Sequence, residues 1–128
     1  MTCLLDTCTF LWLTDRAENL SPAARAMLED PANNLVLSQV SSFEIQIKYN
    51  RGKLPLAMTP QEFIRLAVEK HGLQYLRIED EHLWAKGKLP LLHSDPFDRL
   101  LIAQASHEGM MVVTPDQNIQ RYPIRTLW

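Results

Sequence analysis

Cysteine is nearly missing from this sequence: Cys3 and Cys8 are the only two in 128 residues. A bridge between them would close a tiny loop, and no second pair stands at zinc-like spacing. Both are therefore expected as reduced thiols that pack like small apolar side chains. A positive surplus is missing too, since 13 basic and 15 acidic residues leave a formal charge of −2. No net positive field advertises a nucleic-acid partner, although a local basic patch is compatible with that balance. No charged leader precedes an apolar stretch, and no apolar run approaches the length that crosses a bilayer. The expectation is a soluble, unexported, cytoplasmic protein without a membrane partner. Repeats, low-complexity tracts and linkers are absent as well.

What is present is a chain of ordinary domain length with 46% hydrophobic residues, enough to bury one core without staples. Residues 1–128 are thus expected to form a single domain. Thr2 to Leu5 is a short apolar run that halts at Asp6, which suits a buried strand. Ser21-Pro22 opens an alanine-rich helix to about Glu29, serine capping it and proline fitting its first turn. Leu35-Val36-Leu37 reads as a second strand. The stretch Phe43 to Tyr49 alternates as a strand would, but three signals favour a helix. Ser41-x-x-Glu44 has capping-box spacing, Glu44 and Lys48 form an i,i+4 pair, and Gly52 supplies a stop.

Thr59-Pro60 starts a helix through Lys70 that Gly72 ends, and Leu73 to Ile78 follows as a third strand. Glu79 to Lys86 reads as a short helix and Gly87 to Ser94 as a loop. The clearest helix runs from Asp95, its cap, through Pro96 to Glu108, with Gly109 just beyond. Met110 to Val113 is a buried strand that halts at Thr114-Pro115-Asp116, and Ile124 to Trp128 adds an edge strand. Short apolar runs alternating with helices predict an α/β fold, a mainly parallel sheet of four to five strands flanked by helices.

Parallel sheets of this kind place ligand sites at the carboxyl ends of their strands. Asp6 and Asp116 follow strands, while Glu44 and Asp98 fall in the first turns of helices that follow strands, so four acids are expected along one sheet edge. Like carboxylates repel unless something positive neutralises them, and a hard divalent cation with oxygen ligands does so. On a helical wheel Asp98 lies between Leu101 and Ile102 and beside Ala105, on the buried arc, where an acid is costly without a partner. Arg99 and Ser106 fall on the side expected to face solvent. Asp95 is explained as a cap. Glu44 alone reads more readily as a capping-box acid in a surface pair with Lys48, and Asp116 is open to reading as an ordinary turn residue. Asp6 has no evident turn partner.

These residues resemble a known family. Leu4-Leu5-Asp6-Thr7 resembles the first acidic motif of PIN domains. Ser38-x-x-Ser41-x-x-Glu44-Ile45-x-Ile47-Lys48, followed by Gly52-Lys53-Leu54, is similar to the second motif of VapC-type toxins. The run His93-x-Asp95-Pro96-Phe97-Asp98-Arg99-Leu100-Leu101-Ile102-Ala103-Gln104-Ala105 resembles their most distinctive motif, and Val113-Thr114-x-Asp116 the last. The resemblance spans almost the whole chain in the right order. It implies a PIN fold and an endoribonuclease that uses Mg²⁺ or Mn²⁺ at Asp6, Glu44, Asp98 and Asp116. It also implies a toxin neutralised by a small cognate antitoxin, and commonly a homodimer. Thr7, Ser41 and Thr114 match hydroxyl positions near such sites. Cys8 departs from the pattern, since related sequences often carry histidine there.

Arg99, Lys48, Lys53 and Arg51 are candidates to meet RNA phosphates. Two other readings remain open at this point, an idle PIN-like module that binds RNA or protein, and a small metal-dependent phosphatase. Trp12, Phe63 and Trp84 either complete the core or bury against a partner.

Overall fold

The computed structural model describes residues 1–128. Strand β1 (Thr2–Leu5) leads into α1 (Thr7–Asp15), a single 3-10 turn (Ala17–Asn19) and α2 (Pro22–Glu29). Strand β2 (Asn34–Ser38) is followed by α3 (Gln39–Asn50) and α4 (Pro60–His71), then β3 (Gln74–Leu76) by α5 (Asp80–Gly87) and α6 (Pro96–Glu108). Strand β4 (Met111–Val113), α7 (Gln117–Gln120) and β5 (Thr126–Leu127) complete the chain. All five strands pair in parallel, in the order β3-β2-β1-β4-β5.

The strands are short and apolar because both sheet faces are covered. Side chains alternate between two cores. Cys3, Leu5, Leu35, Leu37, Met111 and Val113 pack with α1, α2 and α4 on one face. Leu4, Val36 and Val112 pack with α6 and α7 on the other. Helix α3 serves both, through Ile45 and Val40 respectively.

Local grammar sets the helix ends. Ser21 and Thr59 accept hydrogen bonds from the backbone N–H of Ala24 and Glu62, each with proline at the first position. Asp95 accepts from Phe97 and Asp98, and Gly109 ends α6 at φ 69°, where a side chain would be strained.

Two expectations about starts need correction. Helix α3 begins at Gln39 under Ser38, whose hydroxyl accepts from Val40 N–H, so Ser41 is no cap and Glu44 sits beyond the first turn. Asp6 does have a local partner: it caps α1 and accepts from Thr9 N–H at 2.8 Å. Helix α1 itself escaped notice because its apolar residues form no stripe.

The solvent-facing assignment of Arg99 is also overturned, since that residue is only 6% exposed. The loop carrying Pro90 and the segment carrying Tyr122 cover the side of α6 that a lone amphipathic helix would leave wet. Ser106 does face solvent. Trp12 and Phe63 pack against the first core, Trp12 with Trp128 at 5.7 Å and Phe63 with Phe10 at 5.9 Å between ring centres. Trp84 remains 65% exposed. No helix is long and apolar enough to cross a membrane.

Candidate active site

The chain leaves β1 toward β2 on one side, while β4 lies on the other side of β1. Strand order therefore reverses between β1 and β4, and parallel sheets open a crevice at the carboxyl ends of such a pair. Asp6 ends β1 and Thr114-Pro115-Asp116 follows β4, so both flank that crevice. A cleft of about 440 Å³ lies there, lined by Asp6, Glu44, Asp95, Asp98 and Asp116 with Lys48 and Cys8. Asp6, Glu44, Asp98 and Asp116, separated by up to 110 positions in the chain, thus share one cavity.

Each acid is held differently. Asp6 is buried, its Oδ1 taking the Thr9 N–H and its Oδ2 the Thr114 hydroxyl. Burial pushes its carboxyl above the ordinary range, and the negative charge of Asp116 adds to that, while the Thr114 and Thr9 donors oppose it. Glu44 Oε1 lies 2.7 Å from Thr7 Oγ1, which is also 2.9 Å from Ser41 Oγ. Glu44 Oε2 receives Lys48 Nζ at 2.7 Å. Asp98 Oδ2 is 3.2 Å from His93 Nε2. Its carboxyl is pushed up to about 6, first by burial and then by the charges of Asp95 and Asp116, against the His93 hydrogen bond. Asp116 caps α7 through Asn118 N–H and takes its own N–H contact to Thr114 Oγ1.

Asp95 lines the same cleft while capping α6, so a capping role and proximity to the site coexist. Lys48 is the one cationic side chain in the lining; Arg51 and Lys53 are exposed and outside it, and Arg99 is buried. Cys8 also lines the cleft as a free thiol, pushed up to about 11 by burial and the neighbouring Asp6, and is therefore a poor nucleophile.

The five carboxylates offer hard oxygen donors against a single lysine, which fits a divalent cation such as Mg²⁺ or Mn²⁺. The oxygens are not drawn into a tight cage. The grouping of three ligand-type atoms within 4.8 Å of one another lies elsewhere, at Glu79, His82 and Glu108 between α5 and α6. There, His82 Nδ1 accepts the Glu79 backbone N–H at 3.0 Å, so Nε2 carries the ring proton and donates to Glu108 at 2.9 Å. That arrangement caps α5 and ties it to α6, and the protonated Nε2 is not available as a ligand.

Three contributors were not singled out from sequence. Thr9 was visible in principle, because Asp6-x-x-Thr9 has cap spacing. His93 stood in the quoted motif without a role. Tyr122 gave no signal, since only folding brings it to His93.

A family model described as PIN domain matches residues 3–124. The chain belongs to the PIN-domain family. Among solved structures, this PIN domain is similar to VapBC2 from Rickettsia felis bound to a promoter DNA fragment. The TM-score is 0.73 at 17% identity, over 100% of this chain and 99% of that one. It is likewise similar to DNA-bound VapBC from Salmonella typhimurium, with TM-score 0.68, 18% identity, and coverage of 99% and 97%. FitAB bound to an IR36 DNA fragment follows at TM-score 0.59 and 15% identity, covering 98% of this chain and 93% of that one. At such identities the likeness speaks to the fold. No curated protein matches the chain in sequence.

Proposed function

We propose that this PIN domain is a metal-dependent endoribonuclease and the toxin of a VapBC-like toxin-antitoxin pair. The observation that carries the reading is the crevice at the strand-order reversal, where Asp6, Glu44, Asp98 and Asp116 line one cavity beside a single cation. Such a surplus of negative charge is unfavourable for the protein alone and has its rationale in binding a cation. Mg²⁺ or Mn²⁺, held among these four acids, would supply Lewis acidity toward a phosphate oxygen and acidify water for in-line attack.

The chain's own residues do the rest. Thr9 and Thr114 hold both oxygens of Asp6, and Thr7, itself in contact with the Ser41 hydroxyl, holds Glu44 from the other side of the crevice. Lys48, bound to Glu44 and half exposed, is placed to meet a phosphate of the RNA. Hydrolysis of an internal phosphodiester in this manner leaves a 5′-phosphate and a 3′-hydroxyl.

The antitoxin partner is supported by the solved relatives, several of which are VapBC assemblies by name. An apolar groove of about 580 Å³ adjoins the cleft, sharing Leu11 and Trp12 with it and continuing along Leu54, Leu56 and Phe63. A homodimer is part of the same reading, checked by light scattering of the purified chain.

The test is cleavage of RNA by purified protein with Mg²⁺ or Mn²⁺. Cleavage that persists undiminished in EDTA, or in Asp98→Asn, removes the metal mechanism. Bound but uncut RNA points instead to an idle binding module, and preferential hydrolysis of phosphomonoesters to a phosphatase. Expression without a partner should arrest growth, and Asp6→Ala should relieve the arrest; identical normal growth for both ends the toxin assignment.

A further inference from the structure

Asp6 and Glu44 each have two protein partners, but the Asp98 carboxylate has one, the Nε2 of His93 at 3.2 Å. His93 comes from the loop before α6, and its own orientation is fixed from behind. Its Nδ1 lies 2.7 Å from the Tyr122 hydroxyl, with the two rings edge-on at 5.4 Å. The same hydroxyl is 3.0 Å from Arg99 Nη1, which also donates to the Pro90 carbonyl at 2.8 Å. Arg99 and Tyr122 are 6% and 3% exposed, so water does not compete for these bonds.

The direction of every proton in this chain follows from its far end. A guanidinium has donors only, so the Tyr122 oxygen accepts from Arg99. The phenol has one proton, and for this buried hydroxyl the one partner able to accept it is His93 Nδ1. A neutral imidazole whose Nδ1 accepts carries its proton on Nε2, and that N–H points to Asp98 Oδ2. The geometry points to Arg99, Tyr122 and His93 as a one-way hydrogen-bond chain that positions Asp98, committing Oδ2 to histidine and leaving Oδ1 for the cleft.

A purely structural role explains the chain poorly. Arg99 is a buried charge whose acceptors are neutral oxygens, and an apolar residue filling that space would cost less desolvation. The segment after α7 is also fastened to the His93 loop by Arg121 donating to the Leu92 carbonyl, which keeps Tyr122 and His93 in register. Outer partners of this kind set the orientation of carboxylate and histidine ligands elsewhere in metal chemistry.

The ligand side of the inference rests on the proposed metal site, whereas the tautomer does not. The test therefore reads both. Side-chain ¹⁵N NMR at mildly alkaline pH, with His93→Gln assigning the signal, should show His93 as the Nε2–H tautomer. Tyr122→Phe keeps the ring and removes the relay proton; the single tautomer should be lost and Mn²⁺ affinity should fall about 10- to 100-fold. His93→Gln retains an N–H toward Asp98 and should bind Mn²⁺ better than His93→Ala. A wild-type Nδ1–H tautomer, or unchanged Mn²⁺ affinity once the tautomer is lost, overturns the chain. A wild type that keeps the Nε2–H tautomer yet neither binds Mn²⁺ nor cuts RNA sinks the nuclease reading and leaves the support of Asp98 standing.

Discussion

Thr114 donates its hydroxyl to Asp6 Oδ2 across 108 positions of sequence, a contact made possible by the parallel pairing of β1 with β4. Thr114 is fully buried and also accepts the Asp116 N–H at 3.0 Å, so one hydroxyl serves two of the acids. Thr114→Val keeps the shape and deletes both bonds. Stability at neutral pH should fall by about 1–3 kcal/mol, because a buried carboxylate and an amide lose a partner without regaining water. Thr114→Ser should recover most of it. Equal urea midpoints for the two variants contradict this account.

Asp98 predicts a pH dependence of the opposite sense to the usual paired carboxylate. Its folded carboxyl is pushed up to about 6, above the ordinary range near 3.9 for an unfolded aspartate. Between those values the folded state holds the extra proton, so stability is greatest at the acid end and is lost as pH rises through about 6. In chelator, Asp98→Asn should therefore be more stable than wild type at pH about 7.5, by about 1–2 kcal/mol after allowing for solvent at the site. The advantage should vanish at about pH 3, below both titrations. Denaturant curves at the two pH values decide it; a constant difference refutes the linkage.

Arg99 illustrates how legible this protein is from sequence and where legibility ends. Capping grammar located α2, α4 and α6, because Ser-Pro, Thr-Pro and Asp-Pro starts act locally and independently of tertiary context. The four acids were legible as a set because strand ends in a parallel sheet share an edge, and all four line the cleft. A helical wheel, however, assumes one buried face. Helix α6 is buried at Arg99 and from Leu101 to Ala105, covered on several sides by a loop and by Tyr122, and no periodicity encodes that cover. Helix α1 was missed for a related reason, since it too has apolar residues on more than one side.

The relocation of Arg99 carries its own expectation. Arg99→Ala should lower stability by about 1–3 kcal/mol through lost packing and hydrogen bonds. The salt dependence of RNA binding, measured in chelator, should keep its slope. Lys48→Ala should instead reduce that slope by about 0.7, the share of one phosphate contact to a single strand. A reduced slope for Arg99→Ala would return it to the RNA surface.

Cation binding should stabilise the fold from one place and not from another. An ion that binds the folded state alone adds about 2.7 kcal/mol at a hundredfold excess over its dissociation constant. Thermal melts in Mn²⁺ should thus rise for wild type and stay flat for Asp6→Asn, which removes a charge at the centre of the crevice. The Glu79, His82 and Glu108 grouping offers the internal control, because it is the tighter cluster of ligand-type atoms yet has its imidazole proton turned toward the carboxylate. Glu108→Gln should leave the Mn²⁺ response intact. Were the response to survive in Asp6→Asn and disappear in Glu108→Gln, the cation would belong between α5 and α6, and the crevice would lose its claim to it.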